Sequence, residues 1–182
     1  MKLKDALKLI AAPAISMACT AVMAHVVLQD GAAAAGASYR ATFRVGHGGD
    51  GASTTGLRVT IPAGFNGAQP MPKPGWTLYT RVSTLPAPYT SHGKTVTEGI
   101  VEIRWEANGP ENALPHAFYD EFVLRGTTPT QPGPLWFKVV QTCEKGENAW
   151  VEVPASGTST KGLKAPAALL EVLDIQATGH AH

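Results

Sequence analysis

Apolar and polar positions alternate along the chain from residue 39 to residue 153. Tyr39–Val45 sets Ala41, Phe43 and Val45 on one face and Arg40 and Arg44 on the other. Gly56–Ile61 repeats this through Leu57, Val59 and Ile61. Thr95–Trp105 does so through Val101, Ile103 and Trp105, against Glu102 and Arg104. A period of two marks a strand with one buried face. Trp76–Val82, Phe118–Arg125 and Leu135–Thr142 read as further strands, with Ala149–Val153 returning from a turn at Glu144–Asn148. In Phe118–Arg125 the alternation groups Phe118, Phe122 and Leu124 against Tyr119, Glu121 and Val123. Asp30–Ser38, Gly46–Thr55, Pro62–Pro74, Pro86–Lys94, Asn108–Pro115 and Thr127–Pro134 are rich in turn residues and read as connections. Roughly seven short strands spaced about ten residues apart predict an all-β, antiparallel two-sheet sandwich. Only Pro166–Leu173 reads as a helix, with Pro at its first position. The predicted organisation is a leader over 1–24, a β-sandwich over 25–155, and a linker, short helix and His-containing tail over 156–182.

The first residues break the alternation. Lys2, Lys4 and Lys8 precede a mostly apolar run from Leu9 to Ala21, and Val22 and Ala24 supply the small residues of a cleavage site. This is the pattern of a secretory signal. The run is short for a membrane span, which needs roughly 20 residues. Lipoprotein processing at Cys19 would need a Leu that Ser16-Met17-Ala18 lack. The expected location is therefore the periplasm or the outside of the cell, with His25 as the first mature residue.

That position changes the chemistry of His25. A free α-amine and the imidazole Nδ1 of one residue can close a chelate ring on one ion. Amine and imidazole nitrogens suit Cu(II), which stands at the top of the divalent affinity order.

Composition narrows the alternatives. Gly 19 and Pro 14 among 182 residues fit a turn-rich β protein. Loss of Lys2, Lys4, Lys8 and Asp5 takes Lys+Arg from 15 to 12 and Asp+Glu from 14 to 13, a net charge of about −1. No basic patch points to nucleic acid or to an anionic membrane. Cys143 is left without a disulfide partner and Met71 is the one remaining Met. Methionine-rich Cu(I) clusters are thereby excluded, and Cys143 reads as a small buried residue. His47, His92 and His116 fall in turn-like stretches and read as surface residues, whereas His180 and His182 form a candidate mobile metal-binding tail.

Five segments carry a resemblance. They are His25-Val26-Val27, Pro74-Gly75-Trp76, Phe118-Tyr119-Asp120-Glu121-Phe122, Val139-Val140-Gln141-Thr142-Cys143 and Gly146-Glu147-Asn148-Ala149-Trp150. In this order the chain resembles the YcnI-like family of exported copper-binding domains. The resemblance implies an immunoglobulin-like or cupredoxin-like sandwich and a mono-histidine brace. In that brace an N-terminal His binds copper through amine and imidazole, joined by a Glu, with a Trp beside the ion. Carried over, His25 is the brace, Glu121 the carboxylate and Trp150 the aromatic. Asp120 and Gln141 stand beside these positions as possible supports. Trp76, Trp105 and Trp136 are expected to pack.

The function expected is Cu(II) binding without catalysis, as a carrier or chaperone. Its partner would be another exported copper chaperone or a membrane copper transporter. Two alternatives stay open. A copper monooxygenase would require a second histidine, His116 or His92, converging on His25. An immunoglobulin-like binding module would hold no metal.

Overall fold

The computed structural model describes residues 25–175. The leader reading of residues 1–24 and the tail with His180 and His182 lie outside them. Eleven strands follow in order: β1 Val27–Leu28, β2 Ala32–Ala34, β3 Ser38–Val45, β4 Thr54–Thr60, β5 Asn66–Pro70, β6 Trp76–Ser91, β7 Lys94–Ala107, β8 Asp120–Thr127, β9 Gly133–Cys143, β10 Gly146–Trp150 and β11 Ala168–Leu173. Two sheets result. One runs β1-β3-β8-β5; the other runs β2-β11-β9-β4-β7-β6, with β10 also paired to β9. The expected all-β sandwich is therefore present.

The alternation explains the layers. Phe43 and Phe122 from the first sheet meet Leu57, Ile103, Trp105, Phe137 and Leu170 from the second, and all of these side chains are fully buried. Edge-to-face aromatic pairs knit the layers: Phe43 on Phe137 at 5.5 Å, and Trp76 and Trp105 on Phe122 at 5.1 and 5.7 Å. Trp105 further donates its Nε1–H to the Met71 carbonyl.

Four expectations need correction. Pro166–Leu173 is not a helix: residues 168–173 form β11, antiparallel to β9 and parallel to β2. Ala168, Leu170 and Val172 are buried while Leu169 and Glu171 are half-buried, which is a period of two. The free edge of β9 overrides the helix propensity of Ala and Leu. The sandwich thus runs on to Leu173, past the boundary expected at residue 155. Second, Pro86–Lys94 is not a turn. β6 runs to Ser91 as an edge strand, where Pro86 and Pro88 remove no ladder bond, and the chain reverses only at His92 and Gly93, both with positive φ. Third, the connections Asp30–Ser38 and Pro62–Pro74 contain the short strands β2 and β5. Fourth, β8 begins at Asp120, so Phe118 does not join the core and is 62% exposed.

Candidate metal centre

One end of the sandwich gathers most of the residues singled out by their chemistry. His25 lies just before β1. Val26 and Leu28 are buried and anchor this short edge strand, while His25 and Val27 are exposed. The ladder pairs Val27 with Arg44 and Leu28 with Phe43. Trp150 ends β10 on the other sheet, opposite Val139, and is 3% exposed. The His25 imidazole rests against the Trp150 indole with ring centroids 4.9 Å apart and planes tilted by 50°. Two residues from different sheets are thus brought into contact. The Trp150 Nε1–H is buried with no hydrogen-bond partner among the described residues.

Glu121 is placed differently. β8 pairs Glu121 with Arg44, so Val27, Arg44 and Glu121 form one row across β1, β3 and β8. At about 4.8 Å per strand this row sets the Glu121 backbone roughly 10 Å from β1. Its side chain is half-buried. The Asp120 carboxylate accepts the Glu121 N–H at 2.8 Å and makes a 2.6 Å ion pair with Lys73. Lys73 also donates to the Glu121 carbonyl and lies over the Phe122 ring. Asp120 is therefore compensated by a fixed cation, which removes the cost of an ionised carboxylate near the core.

Gln141 is fully buried on β9. Its Nε2 donates to the His47 carbonyl at 2.9 Å and to Thr54 Oγ1 at 2.7 Å, and its Oε1 has no partner among the described residues. It ties the turn after β3 to the second sheet. Cys143 is buried, and its Sγ accepts the Gly49 N–H at 3.4 Å.

The sequence did not single out His47 and His116 as a pair. Their rings approach to 5.2 Å, and both Nδ1 atoms lie near the Gly48 carbonyl oxygen. No sequence signal announces this meeting: it is made by the β3–β8 ladder, which brings the end of β3 beside the start of β8. His92 sits at the tip of the β6–β7 hairpin. Among the described residues no group of three or more His, Cys, Asp and Glu side chains is arranged to hold a metal. The His25 ring is exposed and makes no hydrogen bond among the described residues, which leaves its nitrogens open to a ligand.

The family model described as a domain of unknown function, DUF1775, matches residues 25–172. Among curated proteins no relative matches the chain. A solved structure from Nocardia farcinica, described as an uncharacterized protein with an immunoglobulin-like fold, is 26% identical with a TM-score of 0.61. The match covers 81% of this chain and 97% of that one.

Proposed function

This chain belongs to the DUF1775 domain family, and from that premise we propose that its processed form is an exported Cu(II)-binding protein of the YcnI type, acting as a carrier or chaperone. YcnI-like proteins carry the same domain. The observation that supports the reading is the contact between His25 and Trp150 across the two sheets. Residue 25 is also where the family match begins.

In this reading His25 holds the ion through its amine and imidazole, and Trp150 covers one coordination position and keeps water from it. Glu121 is the proposed anionic ligand. To reach the ion its carboxylate has to pass the end of β3, which lies between β1 and β8. Bound copper would supply a cationic centre exchangeable with another copper protein. The hairpin-tip position of His92 supports a carrier over a monooxygenase that would draw on that histidine.

The test begins with the mass of the secreted chain, which should start at His25. Cu(II) titration followed by electron paramagnetic resonance should then give one tight site with nitrogen ligands. Replacing His25→Ala, or adding one residue ahead of His25, should abolish it, and Glu121→Gln should weaken it. Unchanged binding in the extended protein would overturn the brace and favour a module that holds no copper there. The α-amine, ordinarily with a pKa near 8, must lose its proton to bind. Affinity is therefore expected to fall as pH drops from 8 to 5, and a flat profile would contradict the role of the amine.

A further inference from the structure

The turn after β3 holds two imidazoles that the copper reading does not use. His47 and His116 have ring centroids 5.2 Å apart with planes at 61°. Both Nδ1 atoms face one acceptor, the Gly48 carbonyl oxygen, at 3.0 and 3.2 Å. A carbonyl oxygen has two lone pairs and cannot donate. A ring that makes this bond carries a proton on Nδ1, and in the neutral ring that leaves Nε2 with a free lone pair. Histidine ligates metals in this tautomer when its other nitrogen is fixed on a backbone carbonyl.

The shared oxygen is held firmly. Gly48 is buried, and a Cβ there would collide with the Ala52 carbonyl. The Gln141 amide grips the preceding carbonyl, that of His47, from inside the core. The rings themselves are accessible: His47 is half-buried and His116 exposed. Imidazoles on one ion, with bonds of about 2.0–2.1 Å, have ring centres roughly 5–6 Å apart. The observed separation of 5.2 Å falls in that range.

We propose that His47 and His116 form a second metal site, a two-imidazole site for ions of the Zn(II) and Cu(II) class, with water completing the shell. Two protein ligands make it exchangeable, since closed structural sites use four. Continuing the register that pairs Val27 with Arg44 sets His25 beside the start of the same turn. An ion leaving either place has the other close at hand. The site itself does not require the freed amine, so it stands whether or not the brace does.

Zn(II) alone is the probe, added to the exported protein as isolated. Calorimetry gives the stoichiometry, and the imidazole C–H resonances report which rings respond. The His47 and His116 resonances should shift together. His116→Asn keeps a side-chain N–H able to reach the Gly48 carbonyl but removes the second nitrogen. It should weaken one equivalent by more than the roughly 10–100-fold that losing an outer-shell partner costs, with an unchanged melting temperature. His47→Asn should do the same, and His25→Ala should leave that equivalent in place. Unshifted His47 and His116 resonances during Zn(II) binding would overturn the proposal without any variant. So would an unchanged titration of His116→Asn, or loss of the same equivalent in His25→Ala, which would make the imidazoles part of the N-terminal centre.

Discussion

Trp150 carries two opposing contributions. Its ring fills the end of the core beside His25, and its Nε1–H is buried without a partner. Truncating a buried Trp costs about 3–5 kcal/mol, whereas an unmet buried donor costs about 1–3 kcal/mol. Trp150→Ala is therefore expected to destabilise by the first amount in denaturant unfolding. Trp150→Phe, which keeps an aromatic ring and removes the orphan donor, should cost much less. If copper sits at His25, Trp150→Phe should also lose the larger part of the copper-dependent quenching of indole emission. Equal costs for Phe and Ala would mean that the phenyl ring recovers none of the packing that the indole supplies. A second residue gives a pH signature. Burial, and then the negative charge of Asp30, push the Tyr39 hydroxyl up to about 12 from its usual 10. The folded state then holds a proton that the unfolded chain has released, so stability present below pH 10 is lost as pH rises towards 12. Tyr39→Phe should flatten this alkaline decline in urea midpoints measured from pH 9 to 12. A slope unchanged by the substitution would assign the decline to other groups.

Among the elements, β11 shows where sequence pattern stops being decisive. Ala-Ala-Leu-Leu-Glu-Val-Leu after a proline satisfies both a helical and an alternating template. What decides between them is β9, whose first half offers an open edge at Phe137, Leu135 and Gly133. That edge is set by residues more than thirty positions upstream, and no local window contains them. The same reasoning covers β5 and β2, which are strands because β8 and β11 lie beside them. The long alternating runs were legible because their own side chains supply both faces. Phe43, Leu57, Ile103 and Phe122 all reach the core that their spacing assigned. Phe118 does not, because its strand has not yet begun. β11 yields a direct test. Leu170 is fully buried and Leu169 only partly. Leu170→Ala should destabilise by about 2–5 kcal/mol, and Leu169→Ala by clearly less. A solvated linker helix would give small, similar losses for both.

At the scale of the whole molecule, the two sheets meet at His25 and Trp150, and an ion held at His25 as proposed would be a clamp between layers. β1 is two residues long and sits on a sheet edge, so the N-terminal segment is the least supported part of the first sheet. His25 and Trp150 were legible as candidates, one by the cleavage pattern and both by resemblance. The distance of Glu121 from β1 was not, because it depends on strand order: β3 lies between β1 and β8. Copper that binds only the folded, processed chain at 100 times its dissociation constant adds about 2.7 kcal/mol to stability. For a domain of this size that is a rise of roughly 5–10 °C in melting temperature. The rise should appear in a single transition, since the clamp joins both sheets, and β1 amides should gain the most protection from hydrogen exchange. Adding one residue before His25 removes the free amine at that position but keeps the imidazole, the indole and every strand. If copper raised the melting temperature of that extended protein as much as that of the processed one, the ion would be held elsewhere. The clamp between the sheets would then have no part in copper binding.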